Sequence, residues 1–395
     1  MIAIKKIKVP LFFWTLALVV LTLPFPKFDI NSKAIIACII AWFIYNSISE
    51  KWKNLKKRVP LFFILSSLFW IALLGLLYTQ NMGEGLKNLQ KSLPFLVFPL
   101  IILTIDLNKK TAAFLLKYFS YSVIIASVFA LSKAFFLKAN NLGSYFHFSR
   151  LEFIFDKHNT YFALFSLIAI TYFLFNLSRK KWRYVVCILY LFALLYLLSV
   201  RISIVGLVVI ICVFLISKRK SIPAKYYYVL LLTTLLPILF YFTPSFQDKF
   251  NPHTPEGEAI SDIGSRKIHW QAAINTFGQD NLLLGAGTGD GHDKLFETYR
   301  IFNFETGYVY KYNAHNQYLE ILLFYGFIGL FLMALLFFSL IKINIKEGNF
   351  VALAIILLFL TFMITESILL RHDGIVVFAI FMTLFSLNEN QKKLI

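Results

Sequence analysis

The sequence predicts an all-α fold: a polytopic membrane helix bundle of about twelve transmembrane helices, with one large loop that contains short helices. Three observations predict it. Of the 395 residues, 59% are hydrophobic and only 15% charged, which is too little charge to cover a water-facing surface. Apolar runs such as Leu61 to Leu77 and Ile202 to Ile216 recur along the chain, and a run of about 20 residues crosses a hydrocarbon core as a helix. The basic residues fall in alternate connections between these runs. The same profile excludes disordered, collagen-like and coiled-coil chains.

Lys5, Lys6 and Lys8 precede the first apolar window, 9–25. Pro24-Phe25-Pro26 stands where a signal peptide carries small residues, so this window is an uncleaved first span. Windows 33–49, 60–78, 92–107, 112–135, 160–177, 183–199, 202–217 and 226–243 follow, joined by short polar connections. Windows 317–341, 350–369 and 374–388 close the chain. A backbone in lipid must satisfy its own hydrogen bonds, so each window is a helix. Between the ninth and tenth windows, Pro244 to Ala314 forms a 71-residue loop with nine acidic and six basic residues. A loop of that length in a compact bundle is functional or a small domain of its own. The chain thus divides into an N-terminal bundle, 1–243, the large loop, 244–314, and C-terminal helices, 315–395.

The net charge of +19 encodes orientation rather than affinity for nucleic acid. With a cytoplasmic N-terminus, the inner connections hold twenty-two basic residues, among them Lys51 to Arg58, Arg179 to Arg183 and Lys218 to Lys225. The short outer ones hold nine. This positive-inside bias puts both termini in the cytoplasm and the large loop outside. All seven histidines then fall in outer segments. Cys38, Cys187 and Cys212 sit inside apolar runs, so neither a disulfide framework nor a cysteine metal site is expected.

Within the loop, Trp270, Ala273, Ile274 and Phe277 recur at helical spacing, which predicts a short amphipathic helix with Ser265 as its N-cap. Arg266 then falls in the first turn, where a guanidinium beside free N–H groups suits a phosphate or carboxylate. An exposed arginine pairing with headgroups or a nearby acid is the plain alternative. Arg201 interrupts the apolar stretch Leu191 to Ile216 at an outer hairpin, where it either snorkels or fixes an anion. His315 stands where the loop returns to the membrane, placed either as a neutral general base or as a helix cap. Gly285 to Gly291 lacks the Lys-Ser/Thr of a P-loop and reads as a flexible turn. Asp290, His292 and Asp293 lack a metal-binding spacing, so no metal is expected. Glu366, costly in lipid, is expected to face the bundle and pair with Arg371 or His372.

His315-Asn316, nine residues, then Gly326-Phe327-Ile328-Gly329 resembles the signature of the O-antigen ligase and polymerase superfamily of bacterial envelopes. Ser265-Arg266 with Trp270, and Gly285-x-Gly287, extend the resemblance, as does the plan of spans with one late loop. It implies a glycosyltransferase of the bacterial inner membrane, active on the periplasmic face without cofactor, nucleotide or metal. Such a ligase moves a glycan from undecaprenyl diphosphate to a sugar hydroxyl of lipid A core. By this resemblance His315 matches the essential loop histidine, and Arg266 the loop arginine. Arg201 matches the arginine at the outer end of the seventh or eighth helix, although Val200 and Ile202 replace the usual small or polar neighbours. Lys91, with Lys87 as a rival, matches the basic residue before the fourth span.

The chemistry agrees with these residue types. A lipid diphosphate leaving group needs fixed cations, which Arg201, Arg266 and Lys91 would supply as substrate-binding residues. An attacking hydroxyl needs a base, the role expected of His315 as the catalytic residue. Tyr308, Tyr310 and Tyr312 either stack on sugar rings or anchor the loop at the interface. The expected partners are the lipid-linked glycan donor, a lipid A core or other glycan acceptor, and membrane lipids, with no nucleic acid. A polymerase of the same superfamily, which takes a second lipid-linked repeat as acceptor, remains open. So does a secondary transporter, whose site would lie at the bilayer midplane.

Overall fold

The computed structural model describes residues 2–26, 28–105, 109–143, 148–177, 182–217 and 262–387, together with Leu107 and Tyr145. Among the described residues the chain is helical and contains no strands. The ninth window, 226–243, and residues 244–261 of the loop lie outside them.

The first half of the chain supplies twelve helices: α1 (Ile2–Thr22), α2 (Phe28–Ile44), α3 (Ile48–Lys56), α4 (Val59–Leu65), α5 (Ser67–Gly75), α6 (Met82–Ser92), α7 (Pro94–Leu103), α8 (Lys109–Ala139), α9 (Phe148–Phe155), α10 (Asn159–Phe175), α11 (Trp182–Leu198) and α12 (Ile202–Ser217). The loop contributes α13 (Asp262–Gln279), α14 (Gly291–Ile301) and α15 (Glu305–Val309). The chain closes with α16 (Gln317–Lys346), α17 (Phe350–Phe362) and α18 (His372–Phe385).

Eleven of the apolar windows fall on apolar helices, though not always on whole ones. By length and composition, Met82–Leu103, Lys109–Ala139 and Gln317–Lys346 reach across a membrane. Two further candidates are bent pairs, Asp29–Ile44 with Ile48–Lys56 (99°) and Val59–Leu65 with Ser67–Tyr78 (62°). The remaining apolar helices are shorter. The window 350–369 is corrected: α17 stops at Phe362, and Glu366 lies in the irregular segment beyond it.

Polar contacts tie the connections between helices into two groups. In the first, Arg58 donates to the Leu103 carbonyl (2.8 Å), Asn54 to that of Thr104 (3.0 Å), and Lys109 pairs with Glu347 (2.7 Å). In the second, His372 meets Asn31 (2.8 Å), and Tyr161 donates to the Ser367 carbonyl (3.2 Å). There the Asp290 carboxylate accepts the backbone N–H groups of Gln80 and Asn81, both at 2.7 Å. The loop helix α14 follows Asp290 and so belongs to the second group.

One continuous hydrophobic core runs through the helices, with α10, α17 and α18 buried on nearly every side. A helix apolar all round belongs in such a position. A second, small core of Ala272, Ala273, Leu295, Tyr299, Phe304, Ala314, Leu323 and Phe324 joins the loop to the head of α16. The loop is therefore folded onto the bundle and does not hang from it.

Candidate active site

The turn before α16 is where the motif histidine lies. Asn316 caps this helix, its side chain accepting the N–H groups of Tyr318 (2.9 Å) and Leu319 (3.1 Å). This corrects the capping reading of His315, which is one residue too early for that task. His315 itself has φ 45°, in the left-handed region that non-glycine residues seldom occupy. Several bonds enforce the conformation. The Ala314 N–H donates to Glu320 (2.6 Å), the His315 N–H to the Asn313 side chain (2.9 Å), and the Gln317 N–H to the Met363 carbonyl (2.9 Å). The Gln317 side chain in turn accepts the Leu369 N–H (2.7 Å). The head of α16 is thus clamped to the segment between α17 and α18, and that segment carries Glu366.

Glu366 is 1% exposed, and its Oε2 lies 3.4 Å from His315 Nδ1. The expected partners, Arg371 and His372, are corrected: His372 bonds Asn31 and the Arg371 guanidinium lies over the Tyr161 ring. Burial by itself would raise the Glu366 carboxyl. The hydrogen bond from His315 and the charges of His315, His158 and Arg371 outweigh it and hold the group down at about 2. Burial also lowers the imidazole of His158, the N-cap of α10, against the opposing pull of Glu366 and Glu152. The result is an ionised carboxylate behind one ring nitrogen of His315, which leaves Nε2 for a substrate.

A second histidine–carboxylate pair stands beside the first. His292 Nε2 is 3.0 Å from Glu320 Oε2, while Glu320 Oε1 accepts from the Ala314 N–H and the Ser367 hydroxyl (3.3 Å). Glu320 therefore fixes the turn that presents His315. It also lines a cavity of about 70 Å³ with Gln317 and Lys91, between apolar walls that include Phe95, Ile321 and Leu370. Lys91 Nζ bonds Asn88 (3.1 Å) at the edge of this cavity. Lys87, its rival, is 69% exposed and pairs with Glu84.

The loop helix that carries Arg266 differs from expectation in two ways. It begins at Asp262, so Ser265 lies inside the first turn rather than at the N-cap, and Arg266 falls in the second turn. Its buried face is His269, Ala272, Ala273 and Thr276, one position out of step with the predicted stripe, and Ile274 is 56% exposed. The cause is polar pairing. His269 bonds the Tyr299 hydroxyl (2.8 Å), and the hydroxyls of Thr276 and Thr298 lie 2.6 Å apart. Hydropathy alone does not register such a face. It nonetheless brings α13 to the site, because the His269 ring lies 5.1 Å from that of His315. Arg266, half-buried, stands one turn before His269.

Arg201 closes a tight turn between α11 and α12, in which Ser199 takes φ 50°. Gly206 packs against Leu358 and Phe362 of α17.

The Gly285–Gly291 stretch, read as a flexible turn, is a packed insert, and this too is a correction. At Gly326 (φ 59°) α16 is broken. The carbonyls of Leu323 and Phe324 accept the N–H groups of Ala286 and Gly287, both at 2.9 Å. The N–H groups of Phe327 and Ile328 donate to Leu282 (2.9 Å) and Leu283 (3.1 Å). A Cβ on Gly285 would lie 2.7 Å from the Gly326 nitrogen, so both glycines are demanded by the close approach of two backbones. The spacing between His315 and Gly326 is the length of helix between the active turn and this break. Asp290, Asp293 and His292, considered together as cation ligands, bond Gln80, Asn81 and Glu320 instead.

Sequence reasoning missed Glu320 as the partner of His292, named Arg371 or His372 rather than His315 for Glu366, and gave His269 and Asn313 no role in the site. The signal available was the presence of two carboxylates at the ends of apolar windows, where an ionisable group implies a partner.

An apolar helical chain with histidines and buried carboxylates gathered at one end defines a multi-pass membrane protein with a polar site. Residues 185–334 match the family model described as O-antigen ligase. The match takes in Arg201, Arg266, His315 and the Gly326 break. No curated protein matches the chain. That match supports an enzyme of the ligase or polymerase type.

Proposed function

We propose that this protein is a glycosyltransferase of the O-antigen ligase type, transferring a glycan from undecaprenyl diphosphate to a sugar hydroxyl of lipid A core. One observation carries the reading: His315, strained at the head of α16, has Nδ1 against the ionised Glu366. Glu366 accepts the Nδ1 proton and so fixes the tautomer in which Nε2 is basic. The acceptor hydroxyl attacks the anomeric carbon, its proton passes to His315 Nε2, and the bond between that carbon and the diphosphate oxygen breaks. The electron pair leaves with the diphosphate. Arg201, Arg266 and Lys91 stabilise that leaving group, and the cavity beside Lys91 has apolar walls suited to the first part of a lipid chain.

In this reading about twelve spans cross the bacterial inner membrane, with both termini cytoplasmic. Residues 1–243 form the N-terminal bundle, 244–314 the periplasmic loop and 315–395 the C-terminal spans. The excess of basic residues in alternate connections of the sequence supports this orientation.

The test is turnover by the purified full-length protein, given a lipid-diphosphate glycan and lipid A core. Wild type transfers glycan, while His315→Ala and Arg266→Ala fold but do not. Full activity of His315→Ala would refute the assignment. A deletion strain separates the polymerase: loss of a ligase leaves bare core and polymer on the lipid carrier, whereas loss of a polymerase leaves core bearing a single repeat.

A further inference from the structure

A row of aromatic rings leads from the surface of the loop to His315. Tyr310, just after α15, is 67% exposed, and its ring lies 5.8 Å from that of Tyr312 at an interplanar angle of 19°. The Tyr312 ring is 6.1 Å from that of His315 and 5.7 Å from that of His269. The backbone holds this row in place. The Tyr310 N–H donates to the Thr306 carbonyl and the Tyr312 N–H to that of Gly307, both at 3.0 Å. Lys311 between them takes φ 52°, the turn that brings two side chains of i, i+2 spacing into near-parallel planes. Phe304 and Tyr299 pack behind His269 and complete the support.

We infer that Tyr310 and Tyr312 form a carbohydrate subsite that holds the acceptor oligosaccharide and delivers its reacting hydroxyl to His315. The inference rests on the glycosyltransferase reading and adds the acceptor side to it. A pyranose presents an apolar face of C–H bonds with positive hydrogens, which matches the negative face of an aromatic ring. Its hydroxyls remain at the rim, in water. A flat, exposed, pre-ordered pair of tyrosines meets that face with little loss of side-chain freedom, because each ring has only two torsions to fix. The ring spacings set the order of the sugars: the reacting unit lies against Tyr312 and His315, and the next unit outward on Tyr310. The donor takes the other approach, since its diphosphate is drawn to Lys91 and the arginines in and beside the bundle.

The experiment is acceptor kinetics of the full-length protein in nanodiscs, with lipid-diphosphate glycan and lipid A core, for wild type, Tyr310→Ala, Tyr312→Ala and Tyr310→Trp. Tyr310→Ala is expected to raise the acceptor KM about three- to tenfold, with kcat and the donor KM unchanged, and Tyr310→Trp to restore it. Tyr312→Ala is expected to raise KM and lower kcat, because it also contacts His315. An unchanged acceptor KM in Tyr310→Ala overturns the subsite. So does a change confined to the donor KM or to insertion into nanodiscs, which is the signature of a membrane anchor. A wild type that transfers nothing removes the glycosyltransferase reading, and the subsite with it, whereas normal turnover with an indifferent Tyr310→Ala removes the subsite alone.

Discussion

At the scale of single residues, the pairing of His315 with Glu366 has two measurable consequences. Glu366→Gln keeps the shape of the side chain but removes the charge that favours one imidazole tautomer. It is expected to lower kcat by about 10- to 100-fold with a near-unchanged acceptor KM, read from steady-state turnover. A matching fall in the fraction of folded, monodisperse protein would make Glu366 a folding residue instead. The second consequence concerns acid. Glu366 is held at about 2 in the folded protein, below its unfolded value, so its contribution is complete above the ordinary carboxylate range and is lost as pH falls toward 2. The lowered His158 acts in the same direction at higher pH, since the unfolded imidazole takes up a proton first. Thermal unfolding in detergent should therefore move to lower temperature as pH drops from 7 to 5, and this first loss should shrink in His158→Gln.

At the scale of elements, the break in α16 is the feature that matters most. Gly326→Ala forces a side chain into the left-handed region and to within 2.5 Å of the Leu283 backbone. A cost of about 3 kcal/mol or more is expected, visible as a lower unfolding temperature. Glycine at 326 is legible in the sequence as part of a spacing, but what it does is not: the second backbone that fills the break comes from Leu282 to Gly287, some forty residues earlier. The same limit explains the rest of the comparison. Apolar windows are legible because lipid and core both demand them, and eleven of them fall on helices. The turn at His315 is legible as a motif. The bent pairs, the early end of α17 and the polar face of α13 are not, because each depends on which element packs opposite. Glu320 and Glu366 illustrate the point, since an acid in an apolar window announces a partner without naming it.

At the scale of the whole molecule, ion pairs join distant parts of the chain. Lys157, before α10, meets Asp373 of α18 at 2.8 Å with both side chains almost fully buried. Lys157→Met leaves a buried carboxylate without its partner, and a loss of about 3–5 kcal/mol is expected. The double change with Asp373→Leu should recover most of it, as measured by chemical unfolding. The alternation of basic connections along the sequence yields a further prediction. In a variant lacking Cys38, Cys187 and Cys212, a cysteine at Leu142 should react with an impermeant thiol reagent added outside spheroplasts, and one at Lys53 only after lysis. The reverse pattern would invert the orientation.

The backbone insert between Leu282 and Gly287 restricts how the site can open. Withdrawing it would strand two carbonyls and two amides of α16 in an apolar setting, each a penalty of a kcal/mol or more. The loop core and the upper half of that helix must therefore travel as one body during a catalytic cycle. In the proposed reaction, substrates then have to pass around this fixed assembly, and any opening belongs to the elements packed against it.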